Sequence, residues 1–212
     1  MKQQIVKKRI GYEVLQSARE LYRGNETRLE EYLDYLLEWN EKINLVSRTV
    51  SRETVRAHVV HSLIPEALHL LNGCKNWVDA GSGGGLPGVP LAICKGGFNW
   101  TINDNVKKKM RAVDDIIQKL GLKNADIAAK SISLVDLKRG TGIVTKHAFK
   151  IDGLLRLLDK KSWEEIIMWK GAKDAEQELH QTRRKVNATI YEFDFGKGEP
   201  FYEGKAIVVL EP

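Results

Sequence analysis

The sequence predicts an α/β domain with a mostly parallel sheet and a helical N-terminal extension. Three observations carry that prediction. From residue 74 onward, short apolar runs of strand type alternate with runs of helical spacing, the order that builds a parallel sheet covered on both faces. Before residue 74 helical spacing prevails. A glycine-rich loop, "AGSGGGLPG", joins the first strand to the next helix, and ligands of open α/β sheets bind at such strand ends. The boundaries expected are a helical cap over residues 1–73 and an α/β domain over 74–212, packed as one unit.

The elements follow in order. "NETRLEEYLDYLLEWNEKINLV" starts at Asn25 or Thr27 as cap and sets Leu29, Tyr32, Leu33, Leu36, Leu37 and Ile43 at helical spacing. "SRETVRAHVVHSLIPEALHLL" reads as a helix capped at Ser51 and interrupted or kinked by Pro65. Seven strands are expected: "NWVDAG", "FNWTIND", "NADIAA", "TGIVTKH", "WEEIIMWK", "NATIYEFDF" and "KAIVVLEP". The last two are joined by "GKGEPFYEG", which suggests an antiparallel pair. Helices are expected between strands in "LPGVPLAICK", "VKKKMRAVDDIIQKLGL", "IDGLLRLL" and "DAEQELHQTRRKV", with Gly121 stopping the second.

Composition excludes several classes. A chain of 212 residues, 42% hydrophobic and 29% charged, is ordinary for a globular protein. No apolar run approaches the roughly 20 residues that span a bilayer, and "MKQQIVKKRIGYEV" has no signal-type apolar core. Cys74 and Cys94 form no CxxC pair, so neither a zinc site nor a disulfide framework is expected. His58 and His61 lie one helical turn apart but lack a carboxylate or thiolate partner in the pattern. They are expected to pack the cap on the sheet. The expectation is a cytoplasmic monomer with no membrane association. A net charge of +6, with basic clusters at 106–111, 137–140, 145–150, 159–161 and 182–185, points to a polyanionic partner such as nucleic acid.

Five glycines fall within the eight residues from Gly81 to Gly88. Two ligands fit them. Gly83 to Gly88 match G-x-G-x-x-G, a dinucleotide fingerprint. Yet the strand ends at Gly81, two residues too early, and Pro87 removes an N–H from the helix start that would receive a pyrophosphate. The alternative reads "VDAGSGGG" as an acid at the strand end followed by alternating glycines. Asp79 can attract an ammonium, and Asp104, at the end of the next strand, can accept both ribose hydroxyls. Those features suit S-adenosylmethionine. Each residue also has a plain structural alternative: Asp79 as a loop cap, Asp104 as a helix cap, Lys170 as a strand end, and the tryptophans as core.

The segments "WNEKINLVSRT", "HVVHSL", "VDAGSGGGLPGVPLAI", "DNVKKK", "KLGLKNADI", "VTKHA" and "WKG" occur in the order that marks the GidB (RsmG) family. The chain resembles that family from about Leu29 to Lys185, most specifically in "GLPGVPLAI". The resemblance implies a Rossmann-like class I methyltransferase with a seven-stranded sheet. It implies methylation of guanine N7 in small-subunit (16S) ribosomal RNA, acting on the RNA or the small ribosomal subunit. It implies that Gly81, Gly83, Gly85 and Leu86 line the cofactor, with Asp104 on the ribose, Ile132 and Ser133 flanking the adenine, and His147 nearby. Lys107, Lys108, Lys109, Lys146, Lys170, Arg183 and Arg184 are the RNA-binding candidates. His147, Lys146 and Lys170 are the candidates for positioning the reacting groups.

Three positions depart from the family pattern. His147 stands for an arginine, Lys146 for a small residue and His61 for an aspartate. Histidine lacks the bidentate grip of arginine, and Lys146 is expected to supply part of the lost charge. Such departures leave open a divergent relative with a different or weakened activity. A nicotinamide-dependent oxidoreductase is the distant alternative.

Overall fold

The computed structural model describes residues 3–212. All seven expected strands are present: β2 (Asn76–Ala80), β3 (Asn99–Asn103), β4 (Ala125–Ala128), β5 (Thr141–Lys146), β6 (Ile166–Gly171), β7 (Asn187–Phe193) and β8 (Lys205–Glu211). An eighth, β1 (Ile5–Ile10), joins the edge, in the order β1-β7-β8-β6-β5-β2-β3-β4. β8 runs antiparallel to both β6 and β7; the other pairs are parallel. The segment assigned wholly to a helical cap therefore begins with a strand. "IVKKRI" lacks clean alternation because it is an edge strand: Lys7, Lys8 and Arg9 are exposed, and charge on an edge discourages pairing with foreign strands.

Helices α1 (Tyr12–Gly24), α2 (Glu26–Lys42), α3 (Arg52–Ala67), α4 (Gly88–Cys94) and α5 (Lys107–Lys119) share one core with one face of the sheet. Helices α6 (Ile151–Leu157) and α7 (Ala172–Gln181) cover the other. Alternate residues of one strand enter the two cores: Ile167 and Trp169 on the first side, Ile166 and Met168 on the second. Burial on both faces explains why β6 and β8 read as unbroken apolar runs. Trp77 and Trp100 stack with centroids 6.0 Å apart within the first core.

Two helices differ from the sequence expectation. Helix α7 ends at Gln181, so "TRRK" lies in the connection before β7. Pro65 does not interrupt α3, which runs through it to Ala67. Proline leaves the carbonyl four residues earlier without its N–H partner. That carbonyl belongs to His61, and the Trp169 indole Nε1–H donates to it at 2.8 Å. A side chain from the sheet thus satisfies the group that proline orphans. The start of α3 is as expected, with the Ser51 hydroxyl accepting from Thr54 N–H at 3.2 Å.

Candidate active site

The strand order reverses at β2, whose neighbours are β3 and β5. A crevice opens at such a reversal, at the carboxyl ends of the strands. The glycine loop leaves β2 there, and Lys146 and His147 leave β5 beside it. Ser82 N–H donates to the Asn103 carbonyl at 2.9 Å, which ties the loop to β3. Gly83 N–H donates to Asp104 Oδ2 at 3.0 Å, and Val106 N–H donates to Asp104 Oδ1 at 2.9 Å. Asp104 therefore orders both the loop and the start of α5. A carboxylate has about four acceptor positions, so capacity remains for a ligand.

The glycines do not all serve a ligand. A Cβ at Gly88 would meet Ile102 Cδ1 at 2.5 Å and Asp79 Oδ2 at 2.7 Å, so this glycine lets α4 close on β2 and β3. At Gly83, a cleft residue with φ of +57°, a Cβ would meet only the Leu45 carbonyl at 3.6 Å, so the requirement for glycine there is the left-handed backbone and not the protein's own packing. The expectation that ligand approach alone accounts for the loop is thus corrected. Part of its glycine content serves the protein's own packing, and Tyr32 reinforces it by donating from its hydroxyl to the Gly84 carbonyl at 2.9 Å.

Asp79 is fully buried and lines neither of the two clefts beside the glycine loop. Its Oδ2 accepts from Gly88 N–H at 2.7 Å, at the first residue of α4. The expected contact with an ammonium is not what this side chain makes; it caps the helix. Burial pushes its carboxyl up to about 8, against the Gly88 hydrogen bond. This cap bears on the dinucleotide reading. A pyrophosphate would need the N–H groups at the start of α4, and Asp79 already occupies that place.

A cleft of about 580 Å³ is lined by Gly81, Gly83, Asp104, Lys109, Ile132, Lys146, His147 and Phe149, among others. That volume is within the range of small-molecule sites. Ile132 is there as expected, but Ser131 lines the cleft in place of Ser133. Gly85 borders neither cleft, and Leu86 faces a second one. The second cleft, about 230 Å³, is walled by Leu45, Val46, Val50 and His58. Both clefts share Gly81, Gly83, Lys146 and His147. Sequence reasoning missed the apolar connector between α2 and α3. Its signal is Asn40, a buried helix residue whose Oδ1 accepts from Leu45 N–H and Val46 N–H, each at 2.9 Å.

The remaining candidates separate. His147 has φ of +56°, a strained region for a residue with a Cβ, and it lies on the shared wall. Burial, followed by Lys146, holds its imidazole down to about 4. Lys146 donates to the His58 carbonyl at 2.8 Å and to Ser62 Oγ at 3.3 Å, which ties β5 to α3. Its amine is therefore engaged with α3. Lys170 is buried, donating to the Phe149 carbonyl at 3.1 Å and pairing with Glu178 at 3.0 Å. It holds the loop after β5 and is not free for phosphate. Lys107 and Lys108 are exposed on the first turn of α5, and Lys109 reaches the cleft. Arg183 and Arg184 precede β7, at the amino-terminal ends of the strands, opposite the clefts. Arg184 rests over Trp163 at 5.6 Å. His61 is buried among Phe193, Phe201, Tyr202 and Trp169, as a packing residue.

The chain resembles known proteins in sequence and in fold. Ribosomal RNA small subunit methyltransferase G of Chlorobium limicola is 32% identical over 196 residues, covering 86% of each chain. The protein of the same name from Chlorobium chlorochromatii is 31% identical, covering 86% of this chain and 81% of its own. Among solved structures, an O-methyltransferase from Bacillus cereus in complex with SAH superposes with a TM-score of 0.58 at 16% identity, covering 85% of this chain and 90% of its own. A methyltransferase from Geobacter sulfurreducens gives the same TM-score at 13% identity, covering 85% of this chain and 90% of that one. These last two show the fold, that of the class I methyltransferases. The family model described as rRNA small subunit methyltransferase G matches residues 25–195, and on that match and the two Chlorobium relatives the chain belongs to the GidB family.

Proposed function

We propose that the protein transfers a methyl group from S-adenosylmethionine to N7 of a guanine in small-subunit ribosomal RNA. The observation that carries this reading is the pair of clefts with one common wall. The larger one supplies Asp104, oriented by Gly83 N–H, and Ile132 for an adenosine-bearing ligand. The smaller one, apolar along Leu45, Val46 and Val50, suits the flat face of an unpaired base. When bound, S-adenosylmethionine supplies an electrophilic methyl group, which the N7 lone pair takes while the electrons of the carbon–sulfur bond pass to sulfur.

Guanine N7 carries no proton, so the protein needs no general base. Its residues have two tasks. Asp104 and the glycine loop fix one partner, while the connector shaped by Asn40 holds the other and excludes water. Holding two reactants in line supplies roughly 7–11 kcal/mol of such a barrier. Lys109 in the larger cleft, with Lys107 and Lys108 exposed on the same first turn of α5, supports a role for these three in meeting RNA phosphates. In this reading residues 1–73 and 74–212 act as one unit. The continuous core from Leu15 in α1 through Leu36 in α2 to Val113 in α5 supports that.

The deciding experiment supplies cofactor labelled in its methyl group to naked small-subunit RNA and to intact small subunits. Label is expected in RNA, at a site that reduction and strand scission identify as N7-methylguanine. Tight cofactor binding with no label in either substrate would overturn the reading.

A further inference from the structure

Lys146 stands where the family resemblance puts a small residue, and it lies on the wall that both clefts share. A methyl group passing from one cleft to the other crosses that wall. A sulfonium donor therefore brings its positive charge beside Lys146, whereas the thioether left after transfer is uncharged. We propose that Lys146 sets how the site discriminates between the charged methyl donor and its uncharged product, through the charge its amine carries. The inference rests on the proposed cofactor and goes beyond it.

The surroundings give the amine little compensation. Asp79 on β2 is the acid that acts on it among the described residues, and burial keeps that carboxyl protonated to about pH 8. The other groups around it are basic: His58 and His61 on α3, His147 after β5, and Lys205 on β8. Burial lowers the histidines, so they are neutral at pH 7. Burial likewise brings the Lys146 amine down to about 7, opposed by Asp79 and assisted by Lys205. Its hydrogen bonds to the His58 carbonyl and Ser62 Oγ fix the amine against α3, while the residue lines both clefts. Below that pH a protonated Lys146 repels the sulfonium and leaves the thioether unaffected. Above it the repulsion is gone. By linkage, a donor arriving near neutrality displaces the Lys146 proton, and the product allows it to return.

Calorimetry with S-adenosylmethionine and S-adenosylhomocysteine, from pH 6 to 8.5, tests this. In the unaltered protein the donor-to-product affinity ratio is expected to rise roughly tenfold, the equivalent of one pKa unit of coupling. Across buffers of different ionisation enthalpy, donor binding at pH 7 should release protons that product binding does not. Lys146→Met should flatten the ratio and abolish the difference in proton release. Lys146→Arg, charged throughout, should flatten it at the low value. A flat ratio in the unaltered protein, or an unchanged slope in either variant, overturns the inference. If Lys146→Met fails to fold, Lys146→Arg decides. If both ligands bind and the ratio is insensitive, the cofactor reading survives alone. If neither binds, the cofactor reading itself fails, and the inference with it.

Discussion

At the scale of single residues, two aspartates that look alike in the sequence have separate tasks. Asp104 faces the cleft and holds the glycine loop by Gly83 N–H. Asp104→Ala should weaken S-adenosylmethionine binding by about 100-fold, the loss of two hydrogen bonds to a charged acceptor, as read by calorimetry. Asp79 faces inward and caps α4. Its folded carboxyl lies near 8, above the 3.8 of the free side chain. A raised value means that its stabilising effect is complete below about pH 4 and is lost as pH rises through 8. Asp79→Asn keeps an oxygen for Gly88 N–H and cannot ionise. Urea unfolding should therefore find the variant gaining on the unaltered protein by about 2 kcal/mol or more between pH 4 and 8. Equal pH slopes would refute this. The sequence made both residues conspicuous but not their directions. A carboxylate one residue before a strand end can face ligand or core, and only the approach of Gly88 to Asp79 decides between them.

At the scale of elements, the sequence was most legible where burial leaves a period. Strands β2 to β8 and helices α2, α4, α5 and α6 follow from it. Helix α1 also carries a period, with Leu15, Ala18 and Tyr22 on its buried face, although it is not among the helices expected from the sequence. Two features lacked such a signal: strand β1 is a charged edge, and the persistence of α3 past Pro65 depends on a tryptophan over a hundred residues away. That last dependence can be measured. Trp169→Phe should cost about 1–3 kcal/mol through the unpaired His61 carbonyl, beyond the volume lost. Pro65→Ala restores a local N–H donor. The tryptophan change should then cost less in the Pro65→Ala background, and a double-mutant cycle by denaturant unfolding reads the difference. Additive costs would show that the indole bond does not substitute for the missing helical one. The second cleft was illegible for a related reason. The connector from Ile43 to Val50 has no periodicity, and its shape comes from the side chain of Asn40.

For the whole molecule, positive charge is spread along the sequence but sorted in space. Lys107 and Lys108 are exposed on the helical turn that carries the cleft residue Lys109, Lys146 and Lys170 are tied inside, and Arg183 and Arg184 are at the far end of the sheet. Clusters read from sequence alone cannot show this, because α7 reverses the chain direction before "TRRK" is reached. Lys107→Glu and Lys108→Glu should each weaken RNA binding several-fold and lower the salt slope by about one. Arg183→Glu should leave both nearly unchanged. Filter binding across a salt series checks all three, and an equal loss at Arg183 would mean that RNA wraps around the sheet.

The edge strand β1 has a bearing on how the chain is made. Ile5 lies opposite Ala188 and Ile10 opposite Phe193, so during synthesis β1 waits for a strand made more than 170 residues later. Until β7 emerges, three basic residues and an unmatched row of amides hang free from a growing polypeptide. The same lysines and arginine that guard the finished edge keep that early segment hydrated during the wait. Vectorial synthesis thus leaves the pairing of β1 with β7 as a late step, one that local helix formation in α1 to α3 cannot hasten.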